Sequence, residues 1–467
     1  MERTQKTLTT ALAAMVVAVL GAAYAWYRLG PVARATVWAE DGDVFFAEHL
    51  RYGPVGSLLH PYAGYLHLLP RLVVDLAVHR PIEQYAGTVA GASCVVAGMV
   101  VAAVFVLAKD VVPAWPLRLV LAAVPVVVPV APIEVLGNAA NLHWFMLLLV
   151  PWLFTARVRS WWASAAVAVL AAVAVLTEPQ TLLFVPLLVV AWWRTPRTAE
   201  DEGTRRRVLT ALPVTVATVV GLAMQVVTAL TTDRPTAAGN PVVADVVQGY
   251  VFEPVAGTFL KESFRVAASV LAHGPVVVLV PIIGIAVVLV GGLVAASWRA
   301  RIQVVALLVG SVGVWTAALA ANSSGNRGWS LPGGLLAATM TAPTRYAAPA
   351  AMLLTAALVV AAAVLIGPRP ALRSGALRLV DRNRVLRGLA AVVGWCTIAV
   401  VVAAAVGSAA PGLSYRSGGP TWVRQVEEQT ASCRAHPSGA AVVRNAPEAL
   451  DRVWQTRVPC ALVLGGR

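Results

Sequence analysis

Three carboxylates stand close together directly after the first apolar run of the chain. Glu40, Asp41 and Asp43 surround Gly42. A partly buried carboxylate with a like-charged neighbour has a raised pKa, which suits it to take a proton from a hydroxyl group. The group is therefore a candidate general base. Aspartate and glycine also favour turns, so a solvated turn is the competing interpretation.

Further polar side chains follow in three later stretches: His60, Tyr62, Tyr65, His67 and Arg71, then Asn138, Asn141 and His143, and finally Arg327, Arg345 and Tyr346. An arginine can bind a phosphate through two parallel hydrogen bonds, which makes Arg345, and with less support Arg327, candidate phosphate ligands. The competing interpretation for the arginines is that their side chains at helix ends only extend towards water. For the tyrosines it is that they belong to a belt of aromatic residues at the membrane interface. The histidine spacing matches no metal site.

The composition predicts a membrane protein. Of the 467 residues 59% are hydrophobic and 12% are charged, against roughly 25% charged in soluble domains. A helix needs about 20 apolar residues to span a bilayer. We therefore expect an all-α polytopic protein of about 11 transmembrane helices, at residues 8–29, 84–107, 117–133, 144–156, 161–176, 181–193, 208–230, 266–297, 302–321, 347–366 and 388–410.

The basic residues predict how the chain is oriented. They occur in alternate loops between the apolar runs, as the positive-inside rule describes, and this explains the net charge of +14 without a nucleic-acid partner. We expect a multi-pass protein of the plasma membrane with a cytoplasmic N-terminus. Residues 1–410 would form the transmembrane domain, with a first outer loop at 30–83. Residues 411–467 would form a small extracytoplasmic segment, partly of β structure.

The cysteine positions agree with this orientation. Cys94 and Cys396 lie within apolar runs, whereas Cys433 and Cys460 lie in the polar C-terminal segment. In an oxidising compartment the latter two would form a stable disulfide. The absence of a CxxC motif argues against a zinc site.

Four motifs together resemble the GT-C superfamily of membrane glycosyltransferases, in particular bacterial GT-C-like proteins: WAEDG at 38–42, PYAGYLHLLPRL at 61–72, NAANLHW at 138–144 and RY at 345–346. Such enzymes transfer a sugar from a polyprenyl-phosphate carrier at the outer face. The resemblance implies that Asp41 or Glu40 is the catalytic acid and that Arg345 lies near the lipid-linked phosphate. The C-terminal segment is smaller than in relatives that have carbohydrate-binding domains.

The resemblance implies an inverting transfer to a glycan, lipid or protein of the cell envelope, with one carboxylate as general base. The donor would be a polyprenyl-phosphate sugar; the resemblance makes no cofactor certain, and a divalent cation stays open. Asp41, Glu40 and Asp43 are the candidate catalytic residues. The candidate substrate ligands are Arg345, Tyr346, Arg71, His67, Tyr65, Asn138, Asn141, His143 and Arg327.

Two other functions compete with this one. A transporter or lipid flippase would place broken helices and charges at the bilayer midplane. The predicted spans are nearly free of charge, and the polar residues gather at one face, which favours the enzyme. A non-catalytic GT-C relative is the remaining alternative.

Overall fold

The computed structural model describes residues 2–158, 160–192, 204–234, 237–322, 328–331, 333–341, 343–367, 384–448 and 453–465. This part of the chain is almost entirely helical. By length and composition, eight of its helices can cross a membrane: Leu8–Arg34, Ile82–Asp110, Trp115–Glu134, Leu209–Thr231, Val276–Ala295, Trp298–Ala321, Thr344–Ile366 and Arg384–Gly407. The predicted class, an all-helical polytopic membrane protein, is confirmed.

The number of spans is less well defined. Three shorter apolar helices, Leu142–Phe154, Trp161–Val175 and Pro179–Trp192, lie among the eight long ones. Proline interrupts two of them, Pro151 in the first and Pro186 in the third. The predicted count of about eleven requires all three to cross the bilayer as well, and it stays a prediction.

Within the described residues, the first half of the chain contains nine α-helices: α1 (Glu2–Arg34), α2 (Ala47–Leu58), α3 (Leu68–Val78), α4 (Tyr85–Leu107), α5 (Trp115–Val127), α6 (Ala131–Glu134), α7 (Leu142–Phe154), α8 (Trp161–Val175) and α9 (Val189–Trp192). A π-helix at Asp41–Phe46 precedes α2. Short 3₁₀ segments occur at Ile82–Gln84, Ala108–Asp110 and Pro179–Leu188.

The second half contains α10 (Thr204–Thr231), α11 (Val243–Tyr250), α12 (Ala256–Phe259), α13 (Phe264–His273), α14 (Val276–Ala295), α15 (Trp298–Ala321), α16 (Gly334–Met340), α17 (Thr344–Ile366), α18 (Arg384–Gly407), α19 (Trp422–Ala435) and α20 (Cys460–Val463). A second π-helix at Val251–Val255 separates α11 from α12. The strands β1 (Ala440–Arg444) and β2 (Gln455–Pro459) form one antiparallel pair.

Helices α7 and α17 form the centre of the helix bundle. Every residue of α7 is buried, and so is nearly all of α17. Helix α17 is rich in alanine, and small side chains let neighbouring helices approach closely. It packs against α14, α15 and α18. The residues at the start of α17, including Arg345, are thereby held on a rigid element.

The ends of several helices meet at one end of the bundle. The buried Arg28 guanidinium, near the end of α1, donates to the carbonyls of Val126 (2.7 Å) and Ser408 (3.1 Å), beside the ends of α5 and α18. We call this the polar end, and it comprises residues 35–81, 134–141, 411–448 and 453–465. Most residues that the sequence marks as candidates lie there.

The predicted weak point of the long apolar run at 266–297 is a true helix boundary. Helix α13 ends at His273, and Gly274 follows with φ of +80°, a conformation that glycine adopts without strain. Helix α14 begins two residues later at Val276. The run is therefore one short helix followed by one spanning helix.

The C-terminal segment is a small unit that docks on the polar end. Helix α19 packs against the β1–β2 pair, and a disulfide joins Cys433 to Cys460 with their Cα atoms 5.0 Å apart. The fully buried Trp422 donates its indole N–H to the carbonyl of Ile82 at 2.7 Å. The segment is thus fastened to the loop that precedes α4.

Candidate functional site

Asp41 is fully buried, and both of its carboxylate oxygens accept backbone hydrogen bonds. The amides of Ala139 and Ala140 donate to them at 3.0 and 2.7 Å. Burial raises the Asp41 pKa to about 7, although the two amides and the charge of Arg416 act in the opposite direction. With both oxygens occupied, this carboxylate joins the first loop to the loop at 134–141 and has no free side towards a substrate.

Glu40 has a different environment, although it is the adjacent residue. Its carboxylate is 13% exposed, and Oε1 lies 3.9 Å from Nη1 of Arg345. Its second oxygen is buried and accepts no hydrogen bond within the described part of the chain. Asp43 is partly exposed. Among the three predicted acids, Glu40 is the one that faces the cation.

Arg345 lies between two carboxylates. Besides Glu40, Glu134 approaches it, with Oε1 4.0 Å from Nε of the guanidinium. The other Glu134 oxygen accepts from the Thr344 hydroxyl (2.6 Å) and the Arg345 amide (2.8 Å) at the start of α17. Even so, 41% of the Arg345 side chain is exposed. The guanidinium is oriented by carboxylates on one side and open on another, where an anion could bind.

A row of stacked rings borders this group. Tyr65 stacks on His67 with centroids 4.0 Å apart, and His67 lies 5.9 Å from His143. His143 stacks on Trp144 at 3.9 Å, and Trp144 meets Tyr346 edge-on at 5.9 Å. The structure thus brings together predicted residues from three distant stretches of the chain.

The protonation states of this row follow from burial. Burial, followed by the nearby charges of His143 and Arg71, lowers the His67 pKa well below its ordinary value. Burial, and next the Glu178 carboxylate, raises the Tyr65 pKa well above its ordinary value. Both side chains are therefore neutral near pH 7 and can offer hydrogen bonds without adding charge.

Glu178 belongs to the site although the sequence did not single it out as a site residue. It is 1% exposed, and one oxygen pairs with Nδ1 of His143 while the other accepts from the Gln180 amide at 2.8 Å. A carboxylate bound to one ring nitrogen fixes the orientation of a histidine. The turn at 177–180 (TEPQ) thus positions His143. In the sequence, this role could have been suggested by an acid that stands directly before Pro179, the first residue of a 3₁₀ segment.

The two predicted asparagines, Asn138 and Asn141, form hydrogen bonds within their own loop. Asn138 donates to the Glu134 carbonyl at 2.7 Å, and its side-chain oxygen accepts from the Asn141 amide at 2.9 Å. Asn141 in turn accepts from the Trp144 indole at 3.2 Å. Both asparagine side chains are buried. Their role in the structure is to shape residues 134–141 around Asp41.

Arg71 also lies apart from the group around Arg345. It is 2% exposed, pairs with Glu48 at 2.6 Å and packs over the Phe45 ring at 5.1 Å. This pair ties α2 to α3 beneath the first loop. Arg327, the other predicted phosphate ligand, lies outside the described residues.

A second arginine approaches the site from another loop. Arg234 donates to the Asn322 side chain at 3.3 Å, and Asn322 donates to the Tyr346 hydroxyl at 3.0 Å. The Arg234 stem also lies close to Gly64 in the turn between Tyr62 and Tyr65. Nothing local to residue 234 indicates this placement, because it depends on contacts with segments far along the chain.

Within the residues that the structure describes, no three His, Cys, Asp or Glu side chains are grouped as a metal site would require. An apolar groove of about 880 Å³ lies between α12, α14 and α18, with Leu358 of α17 in its wall. No protein-family model, curated protein or solved structure matches this chain.

Proposed function

We propose that this protein is an inverting membrane glycosyltransferase of GT-C type, with Glu40 as the general base. It takes a sugar from a polyprenyl-phosphate carrier and transfers it to a cell-envelope glycan, lipid or protein at the outer face. The observation that supports this most strongly is the pairing of Glu40, which has an unbonded buried oxygen, with the half-open Arg345 guanidinium 3.9 Å away.

In this proposal Glu40 and Arg345 are the two side chains that act in the transfer reaction. The Glu40 carboxylate accepts the proton of the acceptor hydroxyl, whose oxygen forms a bond to the anomeric carbon. The bond from that carbon to the phosphate oxygen breaks, and polyprenyl phosphate leaves with the electron pair. Arg345 stabilises the charge on the leaving phosphate. Attack from the side opposite the phosphate inverts the anomeric carbon.

The helices supply a place for the lipid. Helix α17 contributes Arg345 at its first turn and Leu358 to the wall of the apolar groove. A polyprenyl chain is wholly apolar and would be sheltered by such walls. In this proposal the three shorter apolar helices also span the bilayer, which gives eleven spans and an extracytoplasmic C-terminus.

The test is sugar transfer in membranes that contain the protein, with a panel of radiolabelled polyprenyl-phosphate sugars. Wild type should label an acceptor from at least one donor, and Glu40→Gln should abolish this labelling. Glu83→Gln is the matched control, because Glu83 is an exposed acid in the same loop. Labelling that persists in Glu40→Gln at the wild-type rate would remove Glu40 as the base.

The groove favours one alternative function, a lipid transporter. A flippase would move labelled lipid across the bilayer without any sugar transfer, and the movement would survive Glu40→Gln. The same membranes can be assayed for both activities, so the two functions give opposite results.

A further inference from the structure

One arginine of the C-terminal segment reaches into the polar end. Arg416 is 4% exposed, and its guanidinium donates to the carbonyls of Leu136 (2.5 Å), Gly137 (2.8 Å) and Ala33 (3.3 Å). The planar guanidinium has five donors in fixed directions, so it can hold several carbonyls at once. Arg416 thus connects the end of α1 to the loop after α6.

Asp41 holds the same short loop from its other side. Arg416 binds the carbonyls of Leu136 and Gly137, whereas Asp41 binds the amides of Ala139 and Ala140. The two opposite charges also attract each other. A loop of five residues is therefore held at its carbonyls by a guanidinium and at its amides by a carboxyl group.

The C-terminal segment also holds the backbone directly before Glu40. Ala446 pairs with the chain at Trp38: its carbonyl accepts from the Ala39 amide at 2.7 Å, and its amide donates to the Val37 carbonyl at 2.9 Å. The Asn445 side chain donates to the Ala39 carbonyl at 3.3 Å. The residue immediately before Glu40 thus has both backbone polar groups bound by the C-terminal segment.

Gly42, two residues after Glu40, touches the same segment. A Cβ atom at this position would collide with the Thr456 hydroxyl and would lie 2.5 Å from Nδ2 of Asn445. Only glycine allows so close an approach. The glycine of the acidic motif is therefore explained by the C-terminal segment, which occupies the space of its missing side chain.

We propose that the C-terminal segment is a working part of the candidate site, with Arg416 and Asp41 as positioning residues that set the place of Glu40 and of the loop leading to Glu134 and His143. The assignment of Glu40 as the positioned base rests on the proposed function. The clamp itself, in which two charges from distant segments hold residues 136–140, is independent of that function.

The experiment is hydrogen exchange on the full-length protein in detergent, which needs no substrate. In Arg416→Gln, peptides that cover residues 36–46 and 134–142 should exchange at least about ten times faster than in wild type. Arg416→Lys keeps the charge but not the planar set of donors, so its exchange rate should lie between those of wild type and Arg416→Gln. The control is Arg424→Gln in the same segment, since Arg424 is 81% exposed and pairs only with Glu428 in α19.

The Asp41→Asn variant distinguishes two causes of faster exchange, which are loosening of the loop at 134–142 and unfolding of the C-terminal segment. It should speed exchange at 134–142 while the peptide over 422–435 keeps its wild-type protection. Unchanged exchange at 134–142 in both Asp41→Asn and Arg416→Gln would overturn the clamp. Equal acceleration by Arg424→Gln would overturn it too, because the effect would then not belong to Arg416.

Sugar transfer gives the second readout. If the clamp positions Glu40, Arg416→Gln should lower kcat by up to about 100-fold with a smaller change in KM, since displacement by about 1 Å has that effect. A kcat that equals that of Arg424→Gln would refute positioning of the base. Absence of transfer in wild type would refute the proposed function alone, because the exchange result stands without it.

Discussion

Within the described residues, the protein contains two π-helical turns, and each has an acid beside it or within it. At the first turn, Asp41–Phe46, the neighbouring Glu40 lies 3.9 Å from an arginine. At the second, Val251–Val255, Glu253 is 1% exposed, and Ser263 donates to it at 2.9 Å. Such turns are frequent at functional sites. Their two acids differ in whether a cation is near.

The difference decides what each acid can do. Burial raises the Glu253 pKa well above its ordinary value, and the hydrogen bond from Ser263 acts in the opposite direction. Glu40 and Glu253 each have one buried oxygen that accepts no hydrogen bond within the described residues. Glu40 differs because the Arg345 guanidinium lies 3.9 Å from its other oxygen. In the proposed function, this neighbouring cation distinguishes the candidate base from the acid of the second π-helix.

The largest effect on sugar transfer should be seen when Glu40 and Glu253 are each replaced by glutamine in separate variants. Glu40→Gln should reduce sugar transfer by about 10²–10⁴-fold, since it removes the general base. Glu253→Gln should change it by less than about threefold, because Glu253 has no part in the proposed transfer and the amide keeps the shape of the side chain. Transfer rates at equal protein levels measure both. The reverse order of effects would mean that the second π-helix holds the reactive acid.

A smaller effect is expected from the cation that distinguishes the two turns. Arg345→Gln should weaken binding of a polyprenyl phosphate by about 10–100-fold, the value of a lost charged hydrogen bond. Arg345→Lys should recover part of this, since it retains the charge but not the paired geometry. Titration with the phosphate lipid alone is the measurement. Equal affinity in all three proteins would exclude Arg345 from the phosphate site.

The smallest expected effect concerns Asp41, the buried acid next to Glu40. Because folding raises its pKa from 3.8 to about 7, the folded state favours the protonated form. This contribution to stability is complete below pH 3.8 and is lost as the pH rises to about 7, by at most about 1.4 kcal/mol per pH unit. Asp41→Asn imitates the protonated side chain, so its stability should not fall with this rise in pH. The measurement is the melting temperature of wild type and Asp41→Asn from pH 4.5 to 8. Melting temperatures that change with pH in the same way in both proteins would contradict the prediction.

Local patterns predicted the helical class well, because the apolar runs are long and separated by charged loops. They also indicated that Glu40 and Arg345 lie at the same face. The pattern could not distinguish Glu40 from Asp41, since that difference depends on which oxygens the amides of Ala139 and Ala140 occupy. Neighbours in the sequence can have opposite environments in a turn.

Other residues were interpreted less well, for physical reasons. Asn138 and Asn141 look like ligands, yet short amide side chains also bond to their own backbone and shape loops, as they do here. Arg416 makes its contacts with residues about 280 positions earlier, so no local pattern indicates them. Glu134 likewise gains its role only from Thr344 and Arg345.

The most direct test of the proposed glycosyltransferase uses the purified protein and a donor labelled in both its sugar and its lipid. We predict that each sugar transferred releases one polyprenyl phosphate, that the product has the inverted anomeric configuration, and that Glu40→Gln stops both events. Movement of intact donor across vesicle membranes, with no sugar transferred and no change in Glu40→Gln, would exclude the glycosyltransferase and favour the transporter.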